Sequence, residues 1–374
     1  MQIKLKYLIL SLLLGIIPSA LAYGSDSLRV KLGGAYRFNW RYNDWSEANK
    51  KQGGAIVYDM ARLNMSASYG RLKTSAEFRY YAESSGGGIL KNGWIGYDID
   101  SKNRVRFGLT SVPYGILPFQ SNSYFLNINY YIGLEDDDDL GIAYQYLGEH
   151  VQLDAAFFKN SDLLDGEGEE SSAKRYSYDL GGRTKEINTG VVRIAYKGGD
   201  VFRYEVGISG YIGQAYNIDS GEKDARYSYA GHAVFDWKRW NIKTQITRYN
   251  YSCSESKSTG YVTMTAFNAP YFVCDKGNTV SFCLAYSIPV LGNILDGIKV
   301  YNDYSHLFKA HEGYNDSQQN ILGCCLSAGP MIIYFDWVFA RNHSWIGPDW
   351  NGAFAQGADN KWHSRINLNV GIYF

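Results

Sequence analysis

The sequence has 374 residues, with 37 basic and 37 acidic side chains, so its formal charge at pH 7 is zero. Aromatic residues make up 16% of the chain, and it contains 40 glycines but only 7 prolines. The balanced charge argues against a nucleic-acid partner, and the aromatic content argues against disorder. Beyond the N-terminus, no apolar run reaches the roughly 18 residues that a membrane-spanning helix needs.

Residues 1–22 have the pattern of a secretory signal peptide. A short basic stretch precedes an apolar core, Tyr7–Ile17, and small residues up to Ala22 form a cleavage pattern. No cysteine follows directly, which argues against a lipoprotein. We expect the remainder, 23–374, to be a single domain outside the cytoplasm.

The body of the chain alternates apolar and polar residues with period two. From Leu28 to Tyr42 one face is apolar or aromatic while the other is basic, and 362–374 repeats the alternation and ends on Phe374. Segments of this length exceed the usual soluble strand of about 5–6 residues and suit a tilted membrane-spanning strand. A strand that ends on phenylalanine is also typical of the C-terminal signal read by the outer-membrane insertion machinery.

Sixteen segments with strand character predict the fold class: all-β, a 16-stranded antiparallel transmembrane β-barrel. A further candidate, 259–268, is placed inside a long loop, because single-chain bacterial barrels have even strand numbers. The sixteen are 28–42, 54–68, 72–83, 89–99, 104–110, 139–147, 150–158, 187–196, 201–213, 226–237, 240–251, 279–288, 297–305, 319–328, 330–340 and 362–374.

The connections alternate between short and long, which predicts short periplasmic turns and long extracellular loops. The tight turns lie at 69–71, 101–103, 147–149, 197–200 and 238–239. The long connections are 43–53, 111–138, 159–186, 252–278, 306–318 and 341–361. A soluble propeller or sandwich would show a blade repeat or shorter strands, and the sequence contains no such repeat.

The polar faces of the first five strands are predominantly basic. Strand parity predicts these inward bases: Arg29, Lys31, Arg37, Arg41, Arg62, Lys73, Arg79, Arg104 and Arg106. A basic wall in a water-filled lumen favours anions. The alternative is a hydrated lumen of mixed charge with no net preference.

An acidic run closes the connection 111–138, which is the third loop at its end of the barrel and lies between the fifth and sixth predicted strands. It consists of Glu135, Asp136, Asp137, Asp138 and Asp139. Folded into the lumen, this loop would form a constriction facing the basic wall. Two alternatives stay open: a solvated outer loop, and carboxylates that bind a divalent cation.

Several motifs together resemble the porins of the phosphate-selective O/P-like group. They are Gly108–Pro118, Tyr130–Asp137, Val300–Ser305, Asn315–Asn320 and Trp362–Arg365. The resemblance implies a trimeric 16-stranded porin in which an arginine ladder and a lysine cluster select phosphate. By parity Arg37, Arg62, Arg79 and Arg106 would form the ladder, but the sequence has no dense lysine cluster.

No catalytic or metal-binding signature is present, so we predict neither an enzyme nor a cofactor. The six histidines lack metalloprotease spacing, and no serine-hydrolase elbow occurs. Five cysteines are an odd number for an oxidising compartment, and Cys253 and Cys274, which flank one long loop, form a possible disulfide.

These observations predict a passive outer-membrane diffusion channel for small hydrophilic solutes, with a weak preference for anions. The expected partners are membrane lipid, the solutes and two further copies of the chain. The second hypothesis is a structural or adhesive barrel whose lumen is plugged by the loops 111–138, 159–186 and 252–278.

Overall fold

The computed structural model describes residues 27–162, 169–290, 292 and 294–374. The predicted signal peptide, 1–22, lies outside these residues. No helix in the described ranges is long and apolar enough to cross a membrane.

Strands dominate the described part of the chain. In chain order they are β1 (Arg29–Asn43), β2 (Ala55–Tyr69), β3 (Leu72–Tyr80), β4 (Gly88–Asp98), β5 (Asn103–Ser111), β6 (Asp138–Leu147), β7 (Val151–Asn160), β8 (Asp179–Leu180), β9 (Thr184–Gly198), β10 (Phe202–Asn217), β11 (Lys223–Trp237), β12 (Trp240–Asn250), β13 (Tyr261–Thr265), β14 (Tyr271–Cys274), β15 (Lys276–Ile288), β16 (Gly297–Lys309), β17 (Ser317–Ala328), β18 (Met331–Arg341) and β19 (Trp362–Tyr373).

Sixteen of these strands form one closed antiparallel barrel, as the sequence predicted. Each barrel strand pairs with the barrel strands that precede and follow it in the chain. β1 closes the barrel by pairing with both β2 and β19. The remaining three, β8, β13 and β14, form a separate small sheet. The placement of 259–268 inside a loop is therefore confirmed, since β13 belongs to this small sheet.

One predicted strand is too long. The segment 72–83 pairs only as far as Tyr80, and Glu83 begins a short 3-10 turn, Glu83–Ser85, where its side chain is exposed. Glu83 carboxylate accepts a hydrogen bond from Tyr80 Oη at 2.9 Å. The chain turns here because Gly86 and Gly87 adopt positive φ angles that end the strand geometry.

The barrel seam joins the two ends of the described chain. Gly34 N donates to Phe374 O at 2.7 Å, and Phe374 N donates to Gly34 O at 3.0 Å. A Cβ on Gly34 would lie 2.8 Å from the Phe374 ring and 2.8 Å from Arg62 O. Glycine therefore lets the terminal aromatic residue pack directly against β1.

Two β-bulges, in β2 and β4, interrupt the strand alternation. In β2 the register shifts so that Arg37 faces Met60 while Phe38 faces Tyr58, which leaves Asp59 as the extra residue. In β4 the partners Asn92 and Leu90 flank Lys91 in the same way. A bulge re-aims the extra side chain, so simple parity fails at both positions.

The outer face of the barrel is strongly apolar. Its most exposed side chains include Ile56, Ile95, Phe107, Ile208 and Ile246, each with more than 60% of its surface accessible. A continuous apolar band of this size is unfavourable in water, whereas it is stable in contact with the hydrocarbon core of a membrane. The closed hydrogen-bonded sheet leaves no unpaired strand edge facing that band.

Among the described residues, two short helices lie in the long connections. The first, Glu47–Gln52, is capped by the Ser46 hydroxyl, which accepts from Asn49 N at 3.2 Å, and ends at Gly53 in the left-handed region. The second, Ile128–Tyr131, lies in the connection 112–137 between β5 and β6, which is the third at this end of the barrel and which we call the third loop. This loop does not extend outward but enters the barrel.

Candidate functional site

The third loop crosses the lumen and is fastened to the strands on the far side. The carboxylate of Asp303 in β16 accepts from Asn122 N at 2.7 Å and from Ser123 N at 2.8 Å. Asp336 in β18 accepts from Phe125 N at 3.0 Å. These buried carboxylates accept hydrogen bonds from loop backbone N–H groups that would otherwise need water. They therefore fix the position of the loop.

The start of the third loop has a second set of anchors. Gly115 N donates to Ser209 Oγ at 2.9 Å, and Gly115 O accepts from Arg193 Nε at 2.7 Å. Ile116 N donates to Gln245 Oε1 at 3.1 Å. Gly115 has φ of 62°, and a Cβ there would overlap the Gln245 amide, so this position requires glycine.

A cavity of about 620 Å³ lies in the lumen beside the third loop, and strands β1–β3, β12, β16, β18 and β19 contribute to its wall. Its acidic lining residues are Asp59 and Asp136. Its basic lining residues are more numerous: Arg37, Arg41, Arg62, Arg79, Lys243, Lys299 and Arg365. Tyrosine rings fill much of the remaining wall, so an entering solute meets guanidinium groups and phenols.

Three of the cavity arginines are paired with carboxylates. Arg37 Nε lies 2.6 Å from Asp59, and Arg79 Nη2 lies 2.6 Å from Glu77. Arg62 lies farther from the same Glu77, at 3.8 Å. These carboxylates fix the guanidinium groups in the cavity wall and cancel part of their charge.

Two other arginines line the cavity without a carboxylate partner among the described residues. Arg365 Nε donates to the Asn43 amide oxygen at 2.7 Å, and its guanidinium carbon lies 5.3 Å from the Trp45 ring centre. Arg41 forms no ion pair within the described part of the chain, and its Nε is buried without a hydrogen-bond acceptor there. Lys243 and Lys299 also line the cavity without a carboxylate partner in the described chain, so its uncompensated charge lies on these two lysines together with Arg41 and Arg365.

The remaining predicted wall residues lie outside this cavity. Arg29 and Lys31 are exposed at the start of β1. Lys73 and Arg104 both pair with Asp98, the former at 3.7 Å. The Arg106 guanidinium lies 5.7 Å from the Trp94 ring centre. Of the residues considered for an arginine ladder, the structure therefore brings together Arg37, Arg62 and Arg79 but not Arg106.

The acidic run divides between two sides of the loop. Lys91 Nζ donates to Asp136 at 3.0 Å and to Asp138 at 2.6 Å, so these two carboxylates face the basic side of the lumen. Asp137 and Asp139 point the other way, toward Asp179 in β8. The run is therefore not a uniform acidic face.

Glu135 is turned into the third loop itself. Its Oε1 accepts from Gln120 N at 2.9 Å and from Ser121 N at 3.2 Å. Burial raises the pKa of Glu135 to about 7, although these backbone hydrogen bonds favour the carboxylate. Glu135 thus stabilises the loop's fold and changes charge near neutral pH.

Sequence parity missed two charged residues of this site. Asp59 is paired with Arg37, and Lys91 is paired with Asp136, yet neither is among the inward residues that alternation predicts. Both are the extra residues of β-bulges. The only sequence signal was a charge on an otherwise apolar face, which could have indicated a break in the alternation.

Aromatic side chains from four loops pack together above the cavity. Tyr131 of the third loop lies 5.7 Å from Tyr178, 5.8 Å from Trp345 and 6.3 Å from Phe354, measured between ring centres. Tyr271 lies 6.1 Å from Phe354 and donates a hydrogen bond to Tyr131 O. This aromatic cluster narrows the extracellular mouth of the barrel.

The described cysteines are all free thiols, and the possible Cys253–Cys274 disulfide is not formed. Cys274 Sγ donates to Lys276 O at 3.1 Å, while Cys253 Sγ lies 3.9 Å from Thr184 Oγ1. Among the described residues, two groups have metal-ligand spacing. One is Cys274, Asp275 and His311, and the other is Asp137, Asp139 and Asp179.

Three solved structures of outer-membrane channels are similar to this chain. The chain is similar to OmpF of Salmonella typhi (TM-score 0.61, 10% identity, covering 92% of this chain and 97% of that one). It is also similar to the channel DcaP of Acinetobacter baumannii (TM-score 0.59, 13% identity, 93% and 98% covered). A third match is an anion-selective porin from Comamonas acidovorans (TM-score 0.58, 14% identity, 93% and 100% covered).

At these identities the matches establish the fold: a porin-like 16-stranded β-barrel of the outer-membrane type. No protein-family model matches the chain, and no curated protein matches its sequence. The resemblance to the phosphate-selective O/P-like group therefore stays a prediction.

Proposed function

We propose that this protein is a porin of the bacterial outer membrane, a narrow water-filled channel through which small hydrophilic solutes diffuse, with a preference for anions. The observation that carries the proposal is the basic cavity beside the third loop inside a closed barrel. The apolar outer band would meet lipid, and Phe374 would serve the insertion machinery. The resemblance adds a homotrimer, and the residue pattern of 1–22 adds an export signal.

The preference for anions follows from which cavity charges are compensated. Asp59 and Glu77 offset the neighbouring arginines, whereas Arg41 and Arg365 have no carboxylate partner in the described chain. Fixed cations in a confined lumen attract anions and repel cations. Phosphate is one candidate solute, because guanidinium groups bind its oxygens with matching geometry.

Single-channel recording in a planar bilayer across a KCl gradient tests the proposal. We expect discrete current steps with a reversal potential that reports anion preference, and a reduced current when phosphate is added. Cation-selective steps would keep the channel but assign control to the acidic residues. Correctly folded protein that gives no steps would exclude the channel.

A barrel closed by its own loops is the second candidate, and the aromatic cluster favours it. The rings of Tyr131, Tyr178, Tyr271, Trp345 and Phe354 pack at core-like distances across the mouth. Such a barrel would serve a structural or adhesive role with no chemistry of its own. The double substitution Tyr271→Ala and Trp345→Ala separates the candidates: current that appears only in this variant identifies the closed barrel.

A further inference from the structure

Three carboxylates converge on the extracellular side of the barrel. Asp137 ends the third loop, Asp139 lies at the start of β6, and Asp179 lies in β8 of the small sheet. Carboxylate oxygens from all three lie within 4.8 Å of one another. Asp139 and Asp179 are only 2% and 1% exposed. Three like charges held this close out of water repel one another unless something positive lies between them.

The neighbouring basic groups neutralise the cluster only in part. Arg226 in β11 pairs with Glu186 in β9, which adds a fourth carboxylate to the surroundings. Arg175 donates to Asp179 at 3.2 Å but also lies 3.6 Å from Asp162. Arg175 is therefore shared between Asp179 and a carboxylate outside the three, and Arg226 is paired with a carboxylate outside the three.

Oxygen atoms at the cluster lack partners. Asp137 Oδ1 and Asp139 Oδ1 are buried, and neither has a hydrogen-bond partner in the described ranges. Both atoms therefore keep free lone pairs inside the protein, which is costly without a positive ligand.

A neutral oxygen beside the cluster is also unsatisfied. Thr265 is 2% exposed, and its Oγ1 has no hydrogen-bond partner among the described residues. Thr265 in β13 stands directly opposite Asp179 in β8, so the two side chains leave the sheet on the same face. This hydroxyl is an additional oxygen donor on the side where the carboxylates meet.

We propose that Asp137, Asp139 and Asp179 bind a calcium ion. The donors are all oxygen, which hard cations prefer, and calcium–oxygen bonds of roughly 2.3–2.6 Å would span carboxylates at this separation. Magnesium requires shorter bonds, of about 2.0–2.1 Å, and a stricter geometry. The ion would connect the third loop, the barrel wall and the small outer sheet, and the site is independent of whether the barrel conducts.

Calorimetric titration of calcium into the chelator-treated, folded protein in detergent tests this site. We expect one calcium ion per chain for the wild-type protein. Asp137→Asn and Asp139→Asn should each weaken that binding by about tenfold or more. Asp236→Asn is the matched control, because Asp236 lies in β11 beside Asn241, outside the cluster, and should bind like the wild type.

Heat-dependent mobility in detergent gels verifies that each variant is folded. A second measurement needs no variant: calcium should raise the unfolding temperature of the wild-type protein above its value in chelator, and equal magnesium should raise it less. Wild-type protein that binds no calcium at about 10 mM, or Asp137 and Asp139 variants that bind it like the wild type, would overturn the proposal.

Discussion

Arginines with and without a carboxylate partner should contribute differently to ion preference. Neutralising Arg41 removes a positive charge and leaves no carboxylate unpaired, because Arg41 forms no ion pair in the described chain. We expect Arg41→Gln to shift the reversal potential toward zero, with a drop in the anion-to-cation permeability ratio of roughly twofold.

The matched control for that measurement is Arg29→Gln. Arg29 is exposed at the start of β1 and does not line the cavity. Its neutralisation should leave the reversal potential unchanged. An equal shift in both variants would mean that the overall charge of the barrel, and not the cavity, controls selectivity.

Single side chains were predictable where the strand alternation is regular. Arg37, Arg62 and Arg79 follow from parity, because none of them is the extra residue of a bulge. Parity did not place Asp59 and Lys91, since a bulge is decided by pairing with the neighbouring strand and its only trace in the sequence is a charge on an otherwise apolar face. Parity therefore identified the cations but missed Asp59, which compensates Arg37.

At the scale of the element, the position of the third loop depends on carboxylates of the opposite wall. Asp303 accepts two backbone N–H groups, of Asn122 and Ser123, so Asp303→Ala leaves both buried donors unsatisfied. Each such loss costs about 1–3 kcal/mol. We expect a larger and noisier single-channel conductance, whereas Asp236→Ala should conduct like the wild type.

The third loop also contains a titratable residue, Glu135, which should make the stability of the folded protein depend on pH. The pKa of Glu135 is about 7 in the folded protein against an ordinary value of 4.5. Between these values the folded state binds more protons, so the wild-type protein loses stability as pH rises through this window. Glu135→Gln keeps an acceptor oxygen for Gln120 N and Ser121 N but removes the charge.

We therefore expect the stability difference between Glu135→Gln and the wild type to grow between pH 4.5 and pH 8, to at most about 3 kcal/mol in favour of the variant. Urea unfolding of the folded protein in detergent at several pH values measures this difference. A difference that does not change with pH would show that Glu135 does not titrate in this range.

Elements were more predictable than the contacts between loops. Period-two alternation predicted every barrel strand, because one face of each must meet lipid. The acidic run was compatible with a third loop folded into the lumen, with a solvated outer loop and with a cation site, so the sequence did not decide where 112–137 lies. The aromatic cluster could not be predicted, because it forms between loops that are distant in sequence and no local pattern encodes it. Its members include Tyr131, Tyr178, Tyr271 and Trp345.

For the whole molecule, the effect of an added surface charge on stability should depend on whether that charge lies within the apolar band. Phe107 lies on the outer face of β5 with 68% of its surface exposed, so Phe107→Lys would place a charge in hydrocarbon. We expect a loss of about 2–4 kcal/mol in the free energy of unfolding from lipid vesicles.

Ile294 provides the control for that measurement. It is 86% exposed, yet it lies in the connection between β15 and β16 and not on a barrel strand. Ile294→Lys should change stability little, because water reaches this connection. Equal losses for both substitutions would contradict the placement of the membrane band.

The anchoring of the third loop also has a consequence for the order of biogenesis. Asn122, Phe125 and Ile128 are fixed by Asp303, Asp336 and Ser305, partners that lie 181, 211 and 177 residues later in the chain. The ribosome therefore completes the loop long before it makes the residues that hold it. Such distant pairings are slow to form. We expect the loop to be protease-sensitive in any assembly intermediate that lacks β16–β18, and to become resistant only when the final strands have been added.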